Sequence, residues 1–369
     1  SSRRNTRLAI LSRGLGDVYK RQTLPLPVLE KARNELLDYR GLGMSVMEIS
    51  HRSSAFDELA NESEACLRRL LSISDDYAVL FLAGGATMQF AQVPINLARV
   101  ENPGAYIVDG SWSKKAYAIA QRLGLAHLAA SSEASGFVSI PDKSEWKLNG
   151  KESYLHYVSN ETISGVQFRQ PPDTDLTLVS DMSSDILSRP IDVDKFGVIY
   201  AGAQKNIGQA GIALVVVRKD LLRDLPPSIP DLQSWAIQYA QGSRLNTPPT
   251  YAWYMAGLVF EWIEASGGVE RMAELNQRKS ERLYSFLDQS SFYKNDIPAE
   301  FRSHMNIPFQ IVDESLHPRF ISEAEAAGLS SLKGHRSVGG MRASIYNAMP
   351  IEGVEALISF MQEFENKAG

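Results

Sequence analysis

Val198-Ile199-Tyr200-Ala201-Gly202-Ala203-Gln204-Lys205-Asn206 begins as a short apolar strand and ends with a lysine set among small residues. Other short apolar runs flank it: Tyr77 to Leu82, Tyr106 to Val108, Tyr154 to Val158, Leu176 to Ser180 and Ile212 to Val217. Helical patterns alternate with them. One opens at Ser54-Ala55-Phe56-Asp57 and runs through Cys66, Leu67, Leu70 and Leu71; others cover Met88 to Leu97 and Lys114 to Arg122. A further helix opens at Pro27-Val28-Leu29-Glu30, with Ala32, Leu36, Leu37 and Tyr39 marking its apolar side. Short buried strands separated by helices predict an α/β protein with a mostly parallel sheet covered on both faces.

The pattern changes after the long helical run Tyr251 to Ala265 and the punctuation Ser266-Gly267-Gly268. Val269 to Asp288 predicts a polar helix able to connect two domains. Beyond it, Asn306 to Val312, Ile321 to Ala327, Gly340 to Ile345 and Ile351 to Phe364 suggest a smaller α+β unit. The expected division is a large domain over 23–268 and a small C-terminal domain over 269–369. Residues 1–22 stand apart. Leu8-Ala9-Ile10-Leu11 is too short for a signal-peptide core, which needs about 7–15 apolar residues. Gly14-Leu15-Gly16 invites a dinucleotide-loop reading, but Tyr19 occupies the place of the third glycine. Asp17-Val18-Tyr19-Lys20-Arg21-Gln22 resembles the translation of a transposon end used in sequencing libraries, so the biological sequence is expected to begin near Thr23.

Composition narrows the function classes. The chain has 369 residues, 44% hydrophobic and 22% charged, enough to build a sizeable core. A net charge of -5 with no long basic stretch argues against nucleic acid as the main ligand. The one cysteine, Cys66, excludes an intrachain disulfide framework, a thiolate zinc cluster and a two-cysteine redox motif. No apolar run approaches the roughly 20 residues needed to span a bilayer.

Four places carry chemistry. Lys205, just past a buried strand, is either a solvated loop lysine or a Schiff-base lysine, whose amine is poorly nucleophilic until its neutral form is favoured. Asp181, in Ser180-Asp181-Met182-Ser183-Ser184, is either a turn or helix cap or a buried carboxylate facing a pyridinium nitrogen. Ala83-Gly84-Gly85-Ala86-Thr87 joins a strand to a helix, and the free N–H groups and dipole of such a helix start suit a phosphate. Trp112, after Asp109-Gly110-Ser111, is either a packing residue or a plate under a cofactor ring.

Together, cradle, tryptophan, aspartate and lysine follow the order found in fold-type I pyridoxal-phosphate enzymes. Longer stretches narrow the resemblance. Met44-Ser45-Val46-Met47-Glu48-Ile49-Ser50-His51-Arg52-Ser53, Asn160-Glu161-Thr162-Ile163-Ser164-Gly165-Val166, Ile186-Leu187-Ser188-Arg189-Pro190-Ile191-Asp192-Val193, Val198 through Gly211, Asn246-Thr247-Pro248-Pro249-Thr250 and Gly334 through Ser344 resemble the phosphoserine aminotransferase family. The resemblance runs from about Thr23 to Glu365.

It implies a fold-type I transferase, α/β, with a mostly parallel mixed sheet in a large domain and a smaller α+β C-terminal domain. By resemblance, Lys205 binds pyridoxal 5'-phosphate and later shuttles a proton, Asp181 partners the pyridine nitrogen and Trp112 stacks on the ring. Gly85, Ala86 and Thr87 fall in the phosphate cradle, Gln204 lies beside the lysine, and Thr162 is cofactor-side. Asn246 and Thr247 match residues that reach the phosphate from a neighbouring subunit, which implies a homodimer with shared active sites. Arg342 matches the α-carboxylate arginine. His51, Arg52, His335 and Arg336 match the pocket for phosphate or a distal carboxylate, the last two coming from the partner chain in the family. Forked arginines suit both anions.

The implied reaction moves an amino group between L-glutamate and 3-phosphohydroxypyruvate, giving O-phospho-L-serine and 2-oxoglutarate in serine biosynthesis, in the cytoplasm. In some bacteria the family also serves pyridoxine synthesis, which the sequence does not decide. Two departures stand out: residues 1–22 replace the family's Asn-Phe-x-x-Gly-Pro-like opening, and the cradle lacks the Gln, Ser or Arg of many relatives. The competing readings are a non-catalytic cofactor-binding protein and another class V enzyme such as a cysteine desulfurase. A desulfurase needs a reactive cysteine late in the chain, whereas Cys66 lies in an early amphipathic helix.

Overall fold

A computed structural model describes residues 23–336 and 338–368. The dinucleotide-loop and transposon-end readings of 1–22 lie outside the described residues. The first described helix, α1 (Leu26–Asn34), is followed by α2 (Ser54–Leu71), β1 (Tyr77–Ala83), α3 (Ala86–Leu97), β2 (Gly104–Val108), α4 (Ser111–Arg122) and β3 (Ala126–Ser131). Then come β4 (Tyr154–Val158), β5 (Leu178–Asp181), β6 (Val198–Gly202) and β7 (Ile212–Arg218). These seven strands form one sheet in the order β1-β7-β6-β5-β4-β2-β3. Strands β3, β2, β4, β5 and β6 run parallel, while β7 is antiparallel to both β6 and β1.

Every residue of β2, β4, β5 and β6 is buried, as a sheet covered on both faces requires. Side chains alternate between the faces. Phe81, Ile199, Ala201 and Leu214 pack with Phe56 and Leu67 of α2 and with Trp253 and Phe260 of α6 (Thr250–Ala265), after the short α5 (Trp235–Ala240). On the opposite face, Leu80, Tyr106, Val179, Tyr200 and Val215 pack with Phe90 and Val93 of α3, Ala116 and Ala120 of α4, and Trp235 of α5.

Helix α7 (Gly268–Gln289) leads to β8 (Tyr293–Lys294), β9 (Asn306–Ile311), α8 (His317–Ala326), β10 (Met341–Ser344) and α9 (Ile351–Ala368). The three strands form an antiparallel sheet in the order β10-β9-β8. Its core joins Ile307, Phe309 and Ala343 to Phe320 of α8 and to Leu357 and Met361 of α9. Helix α7 takes part in both cores: Val269 and Met272 pack with the large sheet, Leu283 and Leu287 with the small one.

Two local expectations are corrected. Helix α1 stops at Asn34 and does not reach Tyr39. Arg40, Gly41 and Gly43 turn the chain through positive φ, which leaves Leu37 85% exposed and carries Tyr39 into the core against Tyr254. Strand β3, absent from the sequence reading, is an edge strand written in weak strand formers, Ala-His-Leu-Ala-Ala-Ser, with only Ala129 and Ala130 buried.

Candidate active site

Parallel strands deliver their C-terminal ends to one rim of the sheet, where a crevice forms. The loop after β6 carries Gln204 and Lys205, the end of β5 is Asp181, and the loop after β4 carries Asn160 and Thr162. With Gly85, Ala86, Thr87 and Trp112 they line a cleft of about 460 Å³. All eight residues expected on the cofactor side within one chain therefore meet there.

Lys205 is buried, and its Nζ donates to Thr162 Oγ1 at 3.0 Å. The same Nζ lies 5.8 Å from the centroid of the Trp112 ring. The solvated-loop reading of Lys205 is thus overturned, because the side chain is buried and bonded to Thr162. Asp181 combines both of its sequence readings. Its Oδ1 accepts the backbone N–H of Ser183 at 2.8 Å and the Ser183 hydroxyl at 2.5 Å, an Asx-type turn, while the carboxyl lines the cleft. Burial raises Asp181 above the usual carboxylate range, against the pull of the Ser183 hydroxyl and of Lys205.

The cradle sits at the start of α3. Gly84 has φ +107, a conformation that disfavours any side chain, and its N–H donates to Gly211 O at 2.9 Å. Gly85 caps the helix with no side-chain hydrogen bond to the first-turn N–H groups, and a Cβ at Gly85 would meet nothing within 4 Å. A helix start without a side-chain cap, opening on unfilled space, fits a phosphate.

Trp112 is fixed from below. Glu161 accepts from Trp112 N at 3.0 Å, Ser113 N at 2.7 Å and Ser113 Oγ at 2.8 Å, capping α4 from a loop 48 residues further along the chain. Gly110 is required here, since a Cβ would lie 2.3 Å from the Glu161 side chain. Buried beside it, Asp109 is pushed well above the usual range by burial and by the Glu161 charge. Glu161 has the donors, so Asp109 is the member that keeps a proton. Sequence reasoning gave neither residue a role, nor Asn160, whose Nδ2 donates to Ser184 Oγ and Asn306 Oδ1 at 2.9 Å each. The only available signal was polarity inside an otherwise apolar strand end.

Arg342, on β10, is 6% exposed and donates through an Nη to the Thr162 carbonyl at 2.8 Å. Thr162 thereby links two expected sites, its hydroxyl to Lys205 and its carbonyl to Arg342. Burial lowers Arg342 from the usual guanidinium value. Arg342 and His335 line an adjoining cleft of about 550 Å³. Arg336, Arg52, Asn246 and Thr247 are exposed or half-buried, as is His51, and none of these five lines either cleft. A single chain thus assembles the cofactor side, Arg342 and His335, and leaves the other expected residues outside both clefts.

Comparison with known proteins gives a consistent picture. Residues 22–357 match the family described as Aminotransferase class-V. The phosphoserine aminotransferase of Pseudomonas entomophila is 52% identical over 345 residues, covering 93% of this chain and 96% of that protein. That of Pseudomonas putida is 52% identical over 347 residues, with 94% and 96% covered. Among solved structures, the phosphoserine aminotransferase from Bacillus circulans subsp. alkalophilus superposes with a TM-score of 0.92 at 45% identity, covering 94% of this chain and 97% of that one. A pyridoxal-phosphate-bound phosphoserine aminotransferase from Trichomonas vaginalis gives 0.88 at 40% identity, with 92% and 97% covered.

Proposed function

The chain belongs to the class V aminotransferases, in the phosphoserine aminotransferase family, and we propose that the cleft around Lys205 is its active site. The enzyme transfers an amino group between L-glutamate and 3-phosphohydroxypyruvate, giving O-phospho-L-serine and 2-oxoglutarate, and depends on pyridoxal 5'-phosphate. The observation that carries the site assignment is the convergence of Lys205, Asp181, Trp112 and the start of α3 on one cleft.

The residues present fit the cofactor. Gly85, Ala86 and Thr87 would hold the phosphate, Trp112 would cover the ring, and Asp181 would face the ring nitrogen. Bound there, pyridoxal phosphate supplies an aldehyde for amine exchange and a ring that takes up the electrons of the substrate Cα–H bond. Lys205 takes that proton from Cα and returns it on the other side of the transfer, and Thr162 Oγ1 holds its Nζ in place. Arg342 binds the α-carboxylate common to every substrate. Its bond to the Thr162 carbonyl fixes the distance between carboxylate site and proton carrier.

His51, Arg52, His335 and Arg336 bind the substrate phosphate or the distal carboxylate of glutamate. Asn246 and Thr247 reach the cofactor phosphate of a second copy, so the working unit is a homodimer. The position of Asn246, Thr247 and Arg336 outside both clefts of the single chain supports that reading. Two domains meet near residue 268, supported by the two separate apolar cores that α7 connects. A cytoplasmic location follows from the reaction's place in serine synthesis, and no described helix is long and apolar enough to cross a membrane.

A desulfurase reading loses support at Cys66, because burial and Glu264 push its thiol up to about 12 and deny it a thiolate at neutral pH. Half-reaction spectra test the rest. L-Glutamate and phosphoserine each bleach the visible band of the holoenzyme, and alanine and cysteine at the same concentration do so far more slowly. A band that persists with glutamate and phosphoserine would establish a binding protein without transaminase activity.

A further inference from the structure

One face of the small sheet is polar where it meets the large domain. Strands β9 and β10 pair antiparallel, with Asn306 opposite Ser344 and Pro308 opposite Arg342. Paired residues share a face, and neighbours along a strand alternate. Ile307, Phe309, Met341 and Ala343 face the small core, which contains all four. Asn306, Pro308, Arg342 and Ser344 therefore face the other way, onto the loop after β4.

That loop is tied to the small domain along its length. Ser303 N donates to Gly165 O at 2.9 Å, and Gln167 N to Phe301 O at 2.8 Å. Gly165 has φ +79, and a Cβ there would lie 2.4 Å from the Pro308 ring, so the contact requires glycine. At the end of the loop that lines the cofactor cleft, two links run side by side. Asn160 Nδ2 donates to Asn306 Oδ1 at 2.9 Å, and an Arg342 Nη donates to the Thr162 carbonyl at 2.8 Å. Thr162 lies two residues past Asn160, and Arg342 two residues before Ser344, the strand partner of Asn306.

Asn160 and Asn306 are 1% and 0% exposed. Their hydrogens have one arrangement. The Ser184 hydroxyl donates to the Asn160 carbonyl at 2.7 Å, so its oxygen is the acceptor, at 2.9 Å, for Asn160 Nδ2. The second hydrogen of that amide goes to Asn306 Oδ1. Asn306 Nδ2 is then turned to the end of β10, donating to Ser344 Oγ at 3.0 Å and to the Tyr346 hydroxyl at 3.1 Å. A flipped Asn306 would set one amide nitrogen against another. Asn306 thus commits its oxygen and both N–H bonds to one cross-link, from the loop of the large domain to the strand of Arg342.

Thr162 connects the two ends of the reaction geometry, its hydroxyl to Lys205 Nζ at 3.0 Å and its carbonyl to Arg342. An arginine side chain has several rotatable bonds, and one hydrogen bond leaves it a pivot. A second attachment between the same two segments removes that freedom before substrate arrives.

We propose that Asn306 is a positioning residue for the carboxylate site: with Asn160, Ser344 and Tyr346 it holds the Arg342 strand against the loop that carries Thr162. Asn306 lines neither cleft, so it acts through Arg342. Its loss costs recognition of the α-carboxylate and leaves recognition of the cofactor and of the substrate phosphate in place.

This inference rests on Arg342 as the carboxylate residue, and the test separates the two. Asn306→Leu is close in size and removes the cross-link. In the holoenzyme it should raise KM for glutamate and for phosphoserine by a common factor of roughly ten, the scale of one buried hydrogen-bond partner lost. Both kcat and cofactor affinity should stay unchanged, as expected when only substrate binding is weakened. O-Phosphoethanolamine has the amine and phosphate of phosphoserine but no carboxylate, and its inhibition constant against glutamate should keep the wild-type value. Ser344→Ala and Tyr346→Phe each remove one hydroxyl from the Asn306 amide. They should shift KM the same way by a smaller factor, and they carry the test if Asn306→Leu does not fold.

Arg342→Ala is the control. Should it weaken phosphoserine and O-phosphoethanolamine alike, the carboxylate assignment of Arg342 fails, and the inference with it. If it spares O-phosphoethanolamine, the Arg342→Ala background decides the role of Asn306. No further loss of phosphoserine affinity on adding Asn306→Leu shows that the two residues act as one unit. An equal loss in both backgrounds would make Asn306 a packing residue and overturn the proposal. So would wild-type KM values in Asn306→Leu, a loss of cofactor affinity, or an O-phosphoethanolamine constant weakened as much as phosphoserine.

Discussion

Lys279 offers a stability test that is independent of the reaction. It lies in the second half of α7, 2% exposed, and its Nζ donates to the carbonyls of Ile345 at 3.0 Å and Tyr346 at 2.8 Å. Those carbonyls follow β10, which carries Arg342. Burial lowers Lys279 from 10.5 to about 7. At 1.36 kcal/mol per unit, the charged form costs the folded chain on the order of 5 kcal/mol relative to the unfolded one. Between about pH 7 and 10.5 the unfolded chain holds this proton and the folded chain does not, so the Lys279 contribution to stability rises with pH across that window. Below about pH 7 both states are protonated and the burial penalty is present in full.

Lys279→Met removes the penalty and also leaves two buried carbonyls without this donor, a loss of about 1–3 kcal/mol each. The two effects nearly cancel at about pH 6. At about pH 9.5 the wild type has shed most of its penalty and keeps its hydrogen bonds, so the variant should be the less stable by a few kcal/mol. The stability difference between the two should therefore change by ~3 kcal/mol from pH 6 to pH 9.5. Urea denaturation at matched protein concentration measures it, and subtraction cancels every other titrating group. A difference constant within ~0.5 kcal/mol would refute the reasoning and show that the two carbonyls keep Lys279 charged throughout.

Lys205→Ala should abolish turnover and the borohydride-trapped cofactor label while leaving the melting temperature of the cofactor-free protein unchanged; a label recovered on another lysine would refute the assignment. Arg52→Ala or Arg336→Ala should weaken phosphoserine far more than alanine, by the ~1.5–3 kcal/mol of a bond to a charged group, whereas Arg342→Ala should damage both. Equal losses would mean that phosphate and α-carboxylate do not have separate subsites. Lys205→Ala and Arg336→Ala chains refolded together in equal amounts should recover about a quarter of wild-type activity, because half the dimers are mixed and each of those has one intact site. No recovery, with mixed dimers confirmed by mass spectrometry, would place Arg336 in its own chain's site.

What was legible in the sequence follows from which forces are local. Strands β1, β2, β4, β5, β6 and β7 show as apolar runs because both of their faces are buried, and Lys205 and Asp181 show because they break those runs at their ends. An apolar run has no direction, so the reversal of β7 between β1 and β6 was not readable. Strand β3 escaped because an edge strand needs little apolar burial. Polar contacts between distant stretches of chain were the least legible. Glu161 caps α4 across 48 residues of chain, and His156 meets Tyr200 only because β5 inserts between their strands. Such pairings are set by strand order and register, which sequence periodicity does not encode. A buried polar residue in mid-strand is nonetheless a usable mark: His156 and Tyr200 each occupy a position where an apolar side chain would satisfy the core, and the sheet brings their side chains together at 2.7 Å.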